Sequence, residues 1–152
     1  MKAELRILIF TFLSIFLGCS NNKTDKNKIV GSWYFVEYSD KPFQKALLDY
    51  VDKDIRTSPA ERLRNFIYIF KADNTYEYKV YGRLVSKGTY SISKDNLVKL
   101  LDKIESKTET LTIKYLDDKF LQVSGVSGET DKISIYYKTD YKFPTVQTEV
   151  IR

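Results

Sequence analysis

The sequence predicts an all-β domain, an up-and-down meander of about eight strands closed into a barrel, with a helical insertion between strands one and two. Three observations carry this reading. The apolar residues are dominated by the 12 Tyr and 9 Phe, side chains that favour a pleated, half-buried surface. Over most of the chain they recur with period two. Short polar clusters such as Asp73-Asn74, Lys94-Asp95-Asn96 and Asp117-Asp118 break the pattern about every ten residues, as hairpin turns do. A sandwich is the alternative, but it would need longer crossovers, whereas closure of a meander removes exposed edges.

The 152 residues hold one domain. Residues 1–18 read as an export signal: Lys2 and Arg6 precede a run from Ile7 to Leu17 that is apolar apart from Thr11 and Ser14. That run is shorter than the roughly 20 residues a bilayer span needs. Phe16-Leu17-Gly18-Cys19-Ser20 resembles the lipobox of bacterial lipoproteins, in which the cysteine is acylated and becomes the first mature residue. Cys19 is therefore the expected lipid attachment point. As the only cysteine it leaves no internal disulfide to form. Loss of Lys2, Arg6 and Glu4 with the leader takes the net charge from +5 to +4. Cations and carboxylates alternate along the rest of the chain, so no basic face for nucleic acid is expected.

Residues 19–28 are polar and aperiodic, a flexible tether ahead of a domain spanning 29–152. Strand one is Ile29 to Tyr38. Trp33 and Phe35 share a face, and so does Glu37, which a bulge or a rim position must keep out of the interior. The insertion, about 42–65, carries Phe43, Ala46, Leu47, Tyr50 and Val51 at helical spacing. Ser58-Pro59-Ala60-Glu61 then has the pattern of a capping box opening a second short helix, with Leu63 turned inward. Phe66 to Phe70 is apolar on both faces and must be covered on both. Thr75 to Tyr81 alternates, with Tyr76, Tyr78 and Val80 inward. Arg83 to Ser93 places Leu84, Tyr90 and Ile92 on one parity, and Gly88 makes room within the strand. Leu97 to Ile104 fits a helical stripe as well as alternation; the neighbouring hairpins favour a strand. Thr110 to Tyr115 (Leu111, Ile113 and Tyr115 inward), Phe120 to Val126 and Lys132 to Lys138 (Ile133, Ile135 and Tyr137 inward) complete the set. The tail from 139 is polar and holds Pro144.

Gly31-Ser32-Trp33 on the first strand of such a meander resembles the G-x-W motif of the lipocalin and calycin superfamily. With the lipobox, the tether, I-V-G-S-W, F-K-A-D-N-T-Y and K-G-T-Y-S-I-S, the chain looks like the lipocalin-like lipoproteins of Gram-negative bacteria, over about residues 28–138. The resemblance implies a domain anchored by its lipid to the outer membrane and facing the periplasm. It also implies that Gly31 and Trp33 close one barrel end under a basic residue of the last strand, for which Lys138 or Lys142 is nearest. The insertion resembles the portal helices of fatty-acid-binding proteins, but those proteins' Arg-x-Tyr is missing, so their carboxylate site is not carried over.

The chain has no histidine, which removes His-based triads and most zinc or copper sites. It has no Gly-rich phosphate loop, and its paired carboxylates Asp52/Asp54 and Asp117/Asp118 fall in turns or helix ends. No catalytic residue, metal or cofactor is expected. The inward set Tyr76, Tyr78, Tyr90, Tyr115 and Tyr137 could line a cavity that grips a small lipophilic molecule by a polar end. The same rings could simply fill a narrow barrel. Phe43, Leu47, Tyr50 and Val51 are the matching candidates for a lid. The expected function is a non-catalytic envelope binding protein for a small apolar or amphipathic ligand. The rival is an interaction lipoprotein with a filled barrel and a partner-binding outer surface.

Overall fold

The computed structural model describes residues 26–125 and 132–143. The export signal, Cys19, most of the tether, the Ser127-Gly128-Glu129 turn and the tail from Pro144 lie outside the described residues. Eight strands form a closed antiparallel barrel in chain order: β1 (Gly31–Ser39), β2 (Arg64–Phe70), β3 (Thr75–Val80), β4 (Arg83–Ile92), β5 (Leu97–Asp102), β6 (Thr108–Leu116), β7 (Phe120–Ser124) and β8 (Ile133–Lys138). Each strand pairs with its sequence neighbour, and β1 pairs with β8 to close the ring. The ambiguous Leu97 segment is a strand. Its alternate residues Val98, Leu100 and Asp102 are buried while Lys99 and Leu101 are exposed.

Among the described residues three helices precede or interrupt the strands: α1 (Lys26–Ile29) before β1, then α2 (Lys45–Thr57) and α3 (Pro59–Arg62) between β1 and β2. The expected tether is thus corrected at its end, where Lys26 to Lys28 belong to a helical turn. Ser58 sits at the start of α3 but makes no side-chain cap, so the capping box is not formed; Leu63 is buried as expected.

Two apolar clusters share the barrel wall. One fills the interior, with Trp33, Phe35, Tyr68, Phe70, Tyr76, Tyr90, Leu100 and Tyr136 among its members. The other lies outside, between α2 and the outer faces of β1, β2, β7 and β8. Leu48, Val51 and Ile55 are the buried residues of α2 and meet Tyr34, Val36, Ile133, Ile135 and Tyr137 there. Burying each such aliphatic side chain contributes about 1.5–3 kcal/mol. Ile67 and Ile69 of β2 reach this cluster while Tyr68 and Phe70 face inward, which explains a strand apolar on both faces.

Bulges reset the parity of three strands. In β1 the register shifts between Phe35 and Glu37, so Glu37 turns to solvent. In β4 the shift opposite Tyr78 and Lys79 leaves Leu84 exposed, against the inward position expected of it. In β6 it falls between Ile113 and Tyr115. Gly88 is required where β4 and β5 approach, because a Cβ there would overlap the Leu101 carbonyl oxygen.

Candidate functional site

The two ends of the barrel differ. At one end Trp33 is fully buried and its indole Nε1 donates to the Ile29 carbonyl at 2.6 Å. The Lys138 ammonium lies 5.2 Å from the Trp33 ring centre and donates to the Lys28 carbonyl at 3.0 Å. The Lys138 stem runs over Gly31, whose φ of 140° and bare Cα leave room for it; any side chain at 31 would collide with Lys138 Cε. The structure therefore brings Gly31, Trp33 and Lys138 together as a plug. A lysine occupies the basic position through a cation–π contact and a carbonyl bond.

Above the plug the interior is packed with rings. Phe70 meets Tyr90 edge-on at 5.0 Å, Tyr68 meets Tyr136 at 5.6 Å, and Phe35 meets Tyr136 at 5.6 Å. The Tyr90 hydroxyl donates to the Lys71 carbonyl, and Tyr76 shares a 2.8 Å hydrogen bond with Ser86. Both hydroxyls are satisfied by the protein.

At the other end a pocket of about 250 Å³ opens between Tyr38 of β1, Tyr68 of β2, Tyr78 of β3, Val85 and Ser86 of β4, Leu100 and Asp102 of β5, and Glu105, Lys107 and Glu109 around the β5–β6 turn. One wall is aromatic, with Tyr68 and Tyr78 stacked at 4.5 Å between centroids. The other is ionic. Lys107 Nζ bridges Glu105 at 2.5 Å and Glu109 at 3.2 Å, and these carboxylates push its ammonium pKa up. Asp102 is 3 % exposed. Burial acts to raise its carboxyl, but the Ile104 amide (2.6 Å), the Ser86 hydroxyl, the Glu105 amide (3.2 Å) and the Lys107 charge outweigh it. Its pKa stays below the ordinary 3.8, so the floor of the pocket holds an ionised group. Burial raises the Tyr68 phenol far above its usual range, with Tyr78 and Glu109 adding to the effect, so it remains neutral.

Of the tyrosines predicted to line a cavity, only Tyr78 lines this pocket, and Tyr76 and Tyr90 are buried below it. Tyr115 and Tyr137 require correction, because both belong to the outer cluster under α2. The β6 bulge flips parity between Ile113 and Tyr115. In β8 both faces are buried, so alternation could not tell Tyr136, which points inward, from Tyr137, which points out. The Tyr137 hydroxyl donates to Asp52 of α2 at 2.7 Å, and Tyr115 donates to Asp117 at 2.7 Å.

The lid set is corrected too. Leu47 and Tyr50 are 43 % and 63 % exposed, Phe43 and Val51 belong to the outer cluster, and α2 contributes no residue to the mouth. The helix is a buttress on the wall. Phe43 is pinned by the fully buried Gln122, whose amide accepts from the Phe43 N–H at 2.7 Å and donates to its carbonyl at 3.1 Å.

Sequence reasoning missed Tyr38, Tyr68, Asp102, Glu105, Lys107 and Glu109. The last three stand at every second residue with alternating charge, a spacing that places such residues on one side of an extended segment.

The fold and its two unlike ends define the class: an eight-stranded up-and-down barrel, compatible with a lipocalin-like fold, plugged at one end and open at the other. No protein-family model matches the chain, and no curated protein matches its sequence.

Proposed function

We propose that this chain is a lipid-anchored, non-catalytic binding protein of the bacterial cell envelope, of the lipocalin-like kind, which takes a small amphipathic ligand at the mouth of its barrel. The lipobox around Cys19 supports the anchor and, with the leader, export to the periplasmic face of the outer membrane. The observation that carries the binding reading is the mouth pocket itself, with aromatic rings on one side and ionised groups on the other. Binding sites of this kind combine an apolar surface with a few placed polar groups. At about 250 Å³ over a packed interior, the space suits a compact molecule rather than a buried acyl chain. Native mass spectrometry of the mature protein, followed by solvent extraction, tests this. A small co-purifying molecule released by extraction is expected. A bare protein mass, together with failure of any small amphiphile to bind at the mouth, overturns the reading.

A second reading, an interaction lipoprotein with a filled barrel, is favoured by one observation. The outer edge of α2 exposes Leu47 and Tyr50 beside a groove of about 390 Å³ lined by Pro42, Phe43 and Ala46. Mutating Leu47 and Tyr50 together to Ser would abolish partner capture on that reading and leave mouth binding untouched.

A further inference from the structure

We propose that the mouth pocket is selective for an organic cation, a primary amine or guanidinium carried on a compact aromatic or apolar body. This rests on the reading that the mouth binds a ligand, and it names the ligand's charge class.

Three independent features converge on it. First, the pocket carries charge opposite to that of the protein. The chain has a net charge of +5, yet Asp102, Glu105 and Glu109 line the mouth against Lys107 alone. Second, the opposite wall is aromatic, with Tyr38 and Tyr78, and an aromatic ring attracts a cation, as the Lys132 ammonium 5.8 Å from the Tyr38 ring centre shows. Third, Tyr68 lines the pocket and is only 5 % exposed, so its phenol is held in place at the wall. An ammonium held in the pocket can donate to its hydroxyl oxygen.

Lys107 shows how the cation would be held. Its ammonium sits between Glu105 and Glu109 as an internal stand-in. Its side chain is nearly half exposed, so it can swing into solvent when a ligand ammonium takes its place between the carboxylates. Lys107 is then a competitor for the site rather than part of it. That makes an unusual prediction, since removing this lysine should strengthen binding.

The test is calorimetric titration of the mature protein with three probes of the same shape: 2-phenylethylamine, 2-phenylethanol and 3-phenylpropanoate. The amine is expected to bind about tenfold more tightly than the alcohol, with the carboxylate weakest, as an ion pair plus a cation–π contact would give. Lys107→Met should tighten amine binding several-fold. Glu109→Gln and Tyr68→Phe should each weaken it several-fold while leaving alcohol binding and the melting temperature nearly unchanged. Equal or tighter binding of the alcohol or carboxylate overturns the cation proposal and leaves the mouth as a binding site. Amine binding indifferent to all three substitutions also overturns it, by placing the amine elsewhere. If none of the three probes binds, the cation proposal falls; the mouth-binding reading falls with it only where the native mass is also that of the bare protein.

Discussion

Replacing Trp33 with alanine would empty the closed end of the barrel, because the indole is fully buried, hydrogen-bonded to Ile29 and covered by Lys138. Truncation of a buried large aromatic costs about 3–5 kcal/mol. Thermal melting of Trp33→Ala should therefore fall by about 10 °C or more. Trp33→Phe should lose much less, since it keeps most of the apolar volume. A wild-type melt for the alanine variant would contradict the plug. The role of Trp33 was legible in the sequence, for a single tryptophan two residues after a glycine stands out. The mouth residues were not. Tyr68 is hidden in an apolar run, and Asp102 looks like any turn carboxylate until Ile104 and Glu105 are seen donating to it.

At the scale of elements, α2 and the wall are joined by a polar clasp at one edge of their apolar contact. Asp52 accepts hydrogen bonds from Tyr137 at 2.7 Å, Lys119 at 2.6 Å and Arg56 at 3.2 Å. Burial acts to raise its pKa, but Lys119, Tyr137 and Arg56 prevail and hold it below the ordinary aspartate value of 3.8. A carboxyl depressed on folding stabilises the native state fully above its unfolded pKa. That stabilisation is lost as pH falls through the lower folded value. Urea unfolding from pH 7 down to pH 2 should show wild-type stability declining below about pH 4. Asp52→Asn should be weaker by about 1–2 kcal/mol at neutral pH, with the gap closing in acid. A gap constant with pH would remove Asp52 from the clasp. All eight strands and both insertion helices were legible from period and turn signals. The facing of α2 was not: the stripe its spacing predicts, with Leu47 and Tyr50, falls one residue short of Leu48, Val51 and Ile55, which make the contact. A helix on a barrel wall and a helix over its mouth require the same amphipathic pattern, so sequence alone does not separate them.

At the scale of the whole molecule, the proposed attachment is the first property to test. Cys19→Ser should accumulate as an unprocessed or soluble species. Several acyl chains, at about 0.8 kcal/mol per buried methylene, would otherwise hold the protein to membranes through a high-salt wash. Sedimentation of the variant with membranes like wild type would remove the lipid anchor from the proposal.

The pairing of β1 with β8 has a kinetic consequence. Seven of the eight strand pairings join neighbours in sequence, but Trp33 against Lys138 and Ser39 against Ile133 join the two ends of the domain. Closing a loop of about a hundred residues costs more chain entropy than any hairpin, so this seam should form last. Until it does, β1 and β8 are open edges able to pair with another molecule. Ile135→Val in the seam should therefore accelerate unfolding and leave the refolding rate almost unchanged, whereas Val98→Ala, within a local hairpin, should slow refolding. Stopped-flow chevrons distinguish the two cases, and slower refolding of Ile135→Val would show that the ring closes early.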